Sequence, residues 1–418
     1  MTFFLDTKIA DVPEGWKIAE LKDIVDINPE SHDPTQRPHE KFSYIDIDAV
    51  ENGSGVINTV KELIGKDAPS RARRVVQTDD VIMSEVRPYL KAFALVPKKL
   101  NNQICSTGFA VLRSKGTVDP RYLLNVLFSN EVINQCNRMM VGAQYPALND
   151  SQVKKILIPL PPLPEQSRIA TILTTVDDAI QCSRQAAAET ERLKAGVMQE
   201  LMTKGIGHTE FKEEENVGIM PKEWDIGKLG DFGEIKYGFA QPPNSKENGI
   251  PMICAKDIDR GSIDWNTVNE IDPKSISHGK DLYLHKWDII IVRSGVNTGD
   301  IGLFNYDKIA VAGYDLVFTP NQKRIDPTFI SKYLLCSHRQ SHFKAIGVRS
   351  AQSHLNSEQL FNTPIILPPL KEQQHITSIL TTIDHKLSLQ RQRTAHYEHL
   401  KQGLMNELLT GKRRVMVT

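Results

Sequence analysis

The side chains of this sequence that could bind a polyanion are arginines and lysines grouped in short polar stretches, with asparagine or glutamine close by. Arginine and lysine suit guanine edges and phosphates, whereas asparagine and glutamine suit adenine. A single cluster of this kind is more often a solvated loop than a base-reading site. The candidate DNA-contacting residues are Arg71, Arg73, Arg74, Arg87, Lys91, Gln144, Arg293, Asn297 and Arg349.

Motifs for catalysis are missing from the sequence. It has no Asn/Asp-Pro-Pro-aromatic methyltransferase site, no regular glycine fingerprint and no Gly-x-x-x-x-Gly-Lys-Ser/Thr phosphate loop. His338 and His342 lie four residues apart on a predicted helix, which could place two metal ligands on one face. No acidic third partner is near them in sequence, so solvated histidines are the simpler interpretation. We therefore predict a protein that is not an enzyme and has no cofactor or metal of its own.

The composition is that of an ordinary globular protein with room for two or three domains. Its 418 residues include 51 basic and 51 acidic side chains, so the formal net charge is zero. DNA-binding proteins normally show a basic balance, so this charge favours a protein whose partners hold the phosphate backbone. No apolar run approaches the ~20 residues that span a bilayer, and no signal peptide is visible. Five scattered cysteines predict a reduced, cytoplasmic protein.

The candidate residues lie in a chain that contains one long stretch twice. The first copy begins at Leu160-Pro161-Pro162-Leu163-Pro164-Glu165-Gln166 and the second at Leu367-Pro368-Pro369-Leu370-Lys371-Glu372-Gln373. Matched residues are 207 apart, without a gap across the stretch. A match of this length indicates duplication. Further matched pairs are Asp177 with Asp384 and Lys194 with Lys401.

Each copy has the apolar pattern of a helix of roughly 40 residues. Prolines suit its first turn, and Gly205 or Gly411 suits a C-cap at its end. Between them, spacings of three and four residues alternate, which is typical of a coiled-coil seam. A long helix with so narrow a stripe needs a partner, so we predict that the copies pair antiparallel. The seam residues are Ile169, Leu173, Val176, Ile180, Ser183, Ala187, Thr190, Lys194, Val197 and Leu201, with Ile376, Leu380, Ile383, Leu387, Gln390, Thr394, Tyr397, Lys401, Leu404 and Leu408.

A globular module of mixed secondary structure precedes each long helix. Pro13-Glu14-Gly15-Trp16 at the start of the first module recurs as Pro221-Lys222-Glu223-Trp224. Short β-rich runs lead to an Asp-Pro pair and then to one predicted amphipathic helix, Tyr122 to Cys136 or Phe329 to Phe343. The fold class is therefore α+β. The predicted strands include Phe42 to Ile47, Val81 to Met83, Ala92 to Val96, Phe109 to Leu112, Ile289 to Val292 and Leu316 to Thr319.

The modules share their framework and differ in their loops. Leu148-Asn149 matches Leu355-Asn356, whereas residues 51–74 have no recognisable counterpart in residues 261–280. Two scaffolds of one design with different loops suit two different recognitions, and neutral drift of the loops is the alternative. Basic candidates at matching places in both modules favour recognition. The predicted segments are residues 1–160 (first module), 161–207 (first helix), 208–366 (second module) and 367–418 (second helix).

In this doubled order, the chain resembles the specificity subunit of type I restriction–modification systems over essentially its whole length. The resemblance rests on two variable modules, each followed by a long helix with a proline-rich start, at residues 159–166 and 366–373. The module openings at Trp16 and Trp224 are also similar to the family. The second copy departs modestly, with Lys371 in place of a proline.

The resemblance implies that each module is a target recognition domain for one half of a bipartite, asymmetric site in double-stranded DNA. It also implies that the paired helices set the number of unread base pairs between the halves and dock two modification subunits. Those subunits would supply S-adenosylmethionine and adenine-N6 methyl transfer. Restriction subunits would add ATP-driven translocation and cleavage. The nine candidate residues are assigned to base contacts by residue type and position, not as invariants of the family.

Other functions stay open at this point. A specificity subunit of a methyltransferase-only system would have the same sequence features, and only neighbouring genes would separate the two. A coiled-coil scaffold that never contacts DNA predicts no sequence-dependent DNA binding in the presence of any partner. A stand-alone enzyme is disfavoured because the motifs for catalysis are missing.

Overall fold

The computed structural model describes residues 12–142, 146–215, 217–239, 245–276, 282–347 and 354–415. The chain divides into two compact units. The first unit comprises Met1–Gln185 and Arg391–Thr418, and the second comprises Ala186–Gln390. Each unit therefore contains one module and about half of each long helix. No helix within the described ranges is long and apolar enough to cross a membrane.

The first module alternates short strands and helices, and the strands predicted within it are confirmed. They bring the apolar runs of the sequence into two sheets. The elements are β1 (Lys17–Glu20), α1 (Leu21–Ile24), β2 (Val25–Ile27), β3 (Lys41–Ile45), β4 (Lys61–Ile64), β5 (Ala72–Val76), β6 (Val81–Ser84), β7 (Phe93–Leu95), β8 (Gln103–Ser106), β9 (Phe109–Ser114), α2 (Pro120–Leu127), α3 (Asn130–Met139), α4 (Asp150–Val153) and β10 (Leu157–Leu160), followed by the long helix α5 (Leu163–Lys204).

Two four-stranded sheets form the body of the first module, with strand orders β2-β9-β6-β7 and β4-β3-β8-β5. Strand β6 lies between two apolar clusters. Val81 and Met83 pack in the cluster that also contains Trp16, and Ile82 packs in the cluster that contains Val111. Because successive side chains of a strand point to opposite faces, a strand buried on both faces needs a continuous apolar run.

The second module repeats this framework, and its two predicted strands are confirmed. The sheet β14-β22-β19-β20 has the order of β2-β9-β6-β7, and the pair β13-β23 corresponds to β1-β10. The elements are β11 (Phe211–Glu214), β12 (Gly218–Pro221), β13 (Asp225–Lys228), β14 (Gly233–Tyr237), β15 (Ser245–Ile253), β16 (Ile258–Asp259), β17 (Ser262–Ile263), β18 (Asn269–Ile271), β19 (Asp288–Ile291), β20 (Ile301–Phe304), β21 (Val311–Ala312), β22 (Leu316–Pro320), α6 (Pro327–Leu334), α7 (Ser337–Gly347), α8 (Ser357–Phe361) and β23 (Pro364–Leu367), followed by the long helix α9 (Leu370–Leu408).

The prediction of one amphipathic helix after each Asp-Pro was wrong, because each module has two helices there. In the first module, the Ser129 hydroxyl accepts a hydrogen bond from the amide of Val132 and so caps α3. This local bond competes with continuation of α2. In the second module, the side-chain amide of Gln340 donates to the carbonyl oxygen of Leu334 at 2.8 Å, at the last residue of α6. The break lets both short helices turn an apolar face to the same core.

The predicted coiled-coil seam is confirmed, since every seam position of α5 and α9 is buried or half-buried. In the first unit, the Lys401 ammonium lies 2.6 Å from the Asp177 carboxylate, and the hydroxyls of Ser183 and Thr394 are 2.9 Å apart. Residue numbers rise along one helix as they fall along the other, so the pairing is antiparallel. In the second unit, Lys194 makes the corresponding contact with Asp384, also at 2.6 Å.

The two aspartates of these ion pairs, Asp177 and Asp384, have different electrostatic environments. Burial raises the pKa of Asp177, and the nearby charges of Lys401 and Arg184 do not offset it. Burial acts on Asp384 as well, but hydrogen bonds from Lys194 and Lys332 hold its pKa below the usual value. The first module has the neutral Asn125 at the position that matches Lys332. The second helix pairing is therefore the better neutralised of the two.

The Glu-Gln pair at the start of each repeat connects the long helix to the opening of its module. The Glu165 carboxylate, only 3% exposed, accepts from the Trp16 indole at 3.0 Å and from Arg414 at 2.8 and 2.9 Å. The Glu372 carboxylate accepts likewise from the Trp224 indole at 3.0 Å. In each unit, the segment that follows the other long helix also contacts this glutamate. Arg414, after α9, donates to Glu165, and the amide of Ile206, after α5, donates to Glu372. The identical motifs of the two copies therefore have one structural explanation.

The neighbouring glutamine holds the Asp-Pro turn. Gln166 accepts from the amide of Asp119 at 2.9 Å, and Gln373 accepts from the amide of Asp326 at 2.8 Å. Those aspartates in turn cap α2 and α6. The motifs that the sequence shows twice thus meet in each unit around one helix start.

The two predicted glycine C-caps differ, because Gly205 follows α5 directly and Gly411 lies three residues beyond the last residue of α9. Gly205 and Gly411 have φ values of +66° and +72°, a left-handed conformation that glycine adopts without steric cost. Space is a second reason for glycine here, because a Cβ on Gly411 would come within 2.3 Å of Pro13, and one on Gly205 within 2.6 Å of Trp224. Each helix end therefore packs directly on the opening of a module.

Candidate nucleic-acid interface

The loops that follow the central strands of the two modules occupy the same framework position. The amide of Leu148 donates to the carbonyl oxygen of Glu85 at 2.9 Å, and the amide of Leu355 donates to that of Arg293 at 2.8 Å. Both bonds join the chain just beyond β6 or β19 to the shared Leu-Asn segment. Glu85 and Arg293 are therefore equivalent positions, and the two modules place an acidic and a basic residue there.

Arg74 lies inside the first module. Its guanidinium is 3.2 Å from the Glu85 carboxylate and 3.5 Å from the Asp150 carboxylate, and it also donates to the carbonyl oxygen of Phe109. Only 15% of its side chain is exposed. Burial raises the pKa of Glu85 to about 7, against the opposing effect of the Arg74 charge. These contacts connect β5, β6 and α4, so Arg74 positions the loops of this surface.

Arg71 and Arg73 stand at the start of β5 and differ in exposure. The Arg71 side chain is exposed, while its carbonyl oxygen accepts from the amide of Thr107 at 2.8 Å. The Arg73 guanidinium lies 3.3 Å from the Asp33 carboxylate and is 28% exposed. Arg71 is thus the most exposed arginine of this cluster, Arg73 is partly exposed and Arg74 is the most buried.

Arg87 and Lys91 bracket the turn of the β6–β7 hairpin. Both have a left-handed backbone, with φ values of 48° and 58°, on either side of the short 3-10 turn Pro88–Leu90. The amide of Arg87 donates to the carbonyl oxygen of Pro146 at 2.9 Å. The predicted contact residue Gln144 lies outside the described residues. Non-glycine residues with positive φ need support from their surroundings.

The Lys91 ammonium is directed away from solvent, since it donates to the carbonyl oxygen of Phe128 at 2.9 Å. Burial and the nearby charge of Lys401 lower the pKa of Lys91. Its half-buried position and its bond to Phe128, the residue just after α2, favour a role in holding the hairpin turn against the body of the module.

Arg293 is stacked between two aromatic rings in the second module. Its guanidinium carbon lies 4.8 Å from the centre of the Tyr237 ring and 4.3 Å from that of Tyr314. Its Nη2 is 2.5 Å from Nε2 of His354. Burial, with the Arg293 charge, lowers the pKa of His354, so its neutral ring can accept this hydrogen bond. Stacking fixes the planar guanidinium before any ligand arrives.

Two further features complete the second site. The buried Asp315 carboxylate accepts from the amide of Arg293 at 3.1 Å, and burial raises its pKa to about 6. Asn297 lies in the exposed turn between β19 and β20. Arg349 lies outside the described residues.

The sequence reasoning missed Tyr237, Tyr314 and His354. The rings that sandwich Arg293 come from the end of β14 and from the residue before Asp315, far from Arg293 in sequence. Their one sequence signal is that tyrosine, arginine and histidine are frequent at recognition surfaces. The described residues contain no group of three side chains that could hold a metal ion, and His338 lies 3.0 Å from the Arg339 guanidinium.

Comparisons with known proteins agree with the internal repeat. Residues 13–192 and 221–399 each match the family of type I restriction modification DNA specificity domains. A putative type I restriction enzyme specificity subunit, MjaX of Methanocaldococcus jannaschii, is 27% identical over 430 residues, with 99% of this chain and 97% of the relative covered. The EcoBI specificity subunit of Escherichia coli is 27% identical over 245 residues, 55% of this chain and 52% of the relative.

Solved structures are similar over nearly the whole chain. One, from a study of complex assembly and conformational transition of the type I R-M system, is 27% identical with a TM-score of 0.62, and the match covers 96% of this chain and all of that one (100%). The type I restriction–modification S subunit from M. genitalium is 14% identical with a TM-score of 0.60, and 98% of both chains are covered. This second likeness supports the fold alone.

The fold is that of a duplicated α+β protein with two different loop surfaces on one framework. The family match covers both copies of that framework. This chain belongs to the type I restriction modification DNA specificity domain family.

Proposed function

We propose that this chain is the DNA sequence-recognition subunit of a type I restriction–modification complex and that it reads a bipartite, asymmetric site. The proposal rests on one observation, the different side chains at one framework position, Glu85 in the first module and Arg293 in the second. Like scaffolds with different side chains at this framework position suit two different half-sites. Residues 1–160 and 208–366 are proposed as the two target recognition domains, with the helices of 161–207 and 367–418 as spacers.

The base contacts divide by exposure. Arg293 and Asn297 are proposed for the second half-site, and Arg71, Arg73 and Arg87 for the first. Arg74 is mostly buried and Lys91 donates to a carbonyl oxygen, so we propose that these two residues hold the loops and do not contact DNA. Gln144 and Arg349, outside the described residues, stay proposed base contacts on residue type and position in the sequence.

The partners proposed for this chain are double-stranded DNA, two modification subunits and restriction subunits. Two modification subunits are supported by the duplicated helix, which offers the same side chains twice. Adenine-N6 methyl transfer and its S-adenosylmethionine would belong to those subunits. A zero net charge supports the same division, since partners would neutralise most phosphates. A cytoplasmic location follows from this role.

The function is tested by mapping N6-methyladenine on a plasmid library in cells that express this chain with its candidate modification subunit. We expect methylation at one interrupted motif, and none when this chain is omitted. A soluble complex of the two proteins that methylates nothing would support the scaffold function instead. Methylation without any restriction subunit in the neighbouring genes would identify a methyltransferase-only system.

Replacing Arg293 with alanine is expected to weaken recognition of the second half-site by about 1–3 kcal/mol and to leave the first unchanged, because a bidentate base contact is lost. Competition binding against site variants with single base changes measures both effects. Arg293→Lys is the matched control, since it keeps the charge and loses the planar fork. Full binding by Arg293→Lys, or an equal loss on all sequences, would identify a phosphate contact.

A further inference from the structure

The hairpin turns of the two modules end in apolar side chains that face solvent. In the β6–β7 hairpin, Tyr89 and Leu90 are 42% and 44% exposed, and at the tip of the β19–β20 hairpin Val296 is 101% exposed. Both hairpins leave their modules at the equivalent framework position. Exposed apolar residues are ordinary on a surface, but these recur at the tip of one element in both modules.

Backbone bonds hold the first tip in one conformation. The amide of Leu90 donates to the carbonyl oxygen of Arg87, and that of Lys91 to the carbonyl oxygen of Pro88, both at 2.9 Å. The Lys91 ammonium then connects the turn to the body of the module through the Phe128 carbonyl oxygen. Tyr89 and Leu90 are thus presented on a turn fixed from both sides.

The second tip is held in a comparable way. The hydroxyl of Thr298 donates to the carbonyl oxygen of Gly295 at 2.7 Å, and the amide of Asp300 donates to the carbonyl oxygen of Asn297 at 2.9 Å. The side-chain amide of Gln340, from α7, donates to the carbonyl oxygen of Gly299 at 2.8 Å. This turn keeps Val296 in water, where an apolar side chain gains nothing.

We propose that these tips read thymine methyl groups in the major groove, Val296 in the second half-site and Tyr89 with Leu90 in the first. The inference rests on the proposed function and adds a base identity to it. In the major groove, the C5-methyl of thymine is the apolar group that a base pair presents. Asn297 follows Val296 directly and has the side chain that suits adenine, so the two together suit an A·T pair.

The surroundings of the tips favour DNA over a protein partner. Val296 lies three residues after Arg293, in the turn between β19 and β20, and Tyr89 lies on the turn that begins at Arg87. A protein-binding patch would bury apolar side chains at its centre and leave charges at the rim. Here a few apolar side chains lie beside cationic and amide groups. This mixture complements a base-pair edge, which offers the thymine methyl group next to hydrogen-bond donors and acceptors.

The test replaces each thymine of the methylated motif with deoxyuridine, one at a time, which removes the methyl group alone. We expect one position in the second half-site at which the full chain, in its complex, binds about three- to fivefold more weakly. Val296→Ala should bind the thymine site more weakly and lose its sensitivity at that position. Val296→Thr keeps the shape of the side chain and one of its two methyl groups, so it should keep part of that sensitivity, which separates loss of the apolar contact from misfolding.

The first hairpin supplies the matched control. Tyr89→Ala and Leu90→Ala should lose sensitivity to deoxyuridine in the first half-site only, and Ile309→Ala, an exposed aliphatic residue outside both tips, should change neither. Two results would overturn this inference and leave the proposed function intact. One is site-specific binding whose affinity is unchanged by deoxyuridine at every position, and the other is a second half-site without an A·T pair. Absence of any site-specific binding would contradict the proposed function itself.

Discussion

Replacing Glu165 with alanine is expected to lower the free energy of unfolding of the first unit by about 3 kcal/mol. The carboxylate is 3% exposed and accepts from the Trp16 indole, from Arg414 and from the amide of Val415. Without it, the indole N–H stays buried and loses its partner. The Arg414 guanidinium is better able to reach water, since 43% of its side chain is exposed. The lost stability therefore comes mainly from the segment around Trp16, where the first module begins.

The duplicated chain offers its own control for this experiment. Glu372→Ala should destabilise the second unit in the same way, because Trp224, His208 and the amide of Ile206 lose the same carboxylate. Glu200, 67% exposed and paired only along its own helix with Lys204 at 4.0 Å, should cost no more than about 0.5 kcal/mol when replaced.

Urea unfolding of the full chain measures the total loss, and hydrogen exchange by mass spectrometry assigns it to a unit. Glu165→Ala should raise exchange in peptides of residues 12–24 and leave those of residues 217–232 protected. Glu372→Ala should give the reverse pattern. If Glu165→Ala is no more destabilising than Glu200→Ala, the carboxylate does not hold the module opening, and the Glu-Gln motif needs another explanation.

What the sequence could and could not predict follows from the range of the interactions. The seam of α5 and α9 was predictable because helical burial repeats locally, every three or four residues. The break at Ser129 was not, since one hydroxyl decides between a cap and a longer helix. The Glu165 contacts with Trp16 and Arg414 span 149 and 249 residues. Duplication marked these motifs as structural, but only the fold shows what joins them.

The candidate site shows the same limit. Residue type suggested base contacts for all three arginines of the 71–74 stretch, yet burial and ion pairs separate them. Arg74 faces Glu85 and Asp150, from two later segments of the chain, and of the three arginines Arg71 is the most exposed. The stacking of Arg293 between two tyrosines also depends on strands that meet in the sheet. Charge and type can be taken from sequence, whereas availability to a ligand depends on tertiary contacts.

Lengthening both long helices by seven residues is expected to move the methylated motif to a longer spacer with unchanged half-sites. The insertions go between Gln185 and Ala186 in α5 and between Gln392 and Arg393 in α9. Two helical turns add about 10 Å, or roughly three base pairs of DNA at ~3.4 Å each. Matched insertions keep the seam pairing, because each ion pair on either side stays opposite its partner. Mapping N6-methyladenine in cells gives the new motif directly.

A length-neutral control separates spacing from helix chemistry. Exchanging the charges of one pair, Asp177→Lys with Lys401→Asp, alters the seam without lengthening it and should leave the motif as it was. The original site should lose its methylation almost completely in the lengthened protein, since both modules can no longer engage it together. An unchanged spacer in the lengthened, folded protein would refute the proposal that these helices set the distance between half-sites. New half-sites would instead place base recognition in the helices, against the assignment to the loops of Arg87 and Arg293.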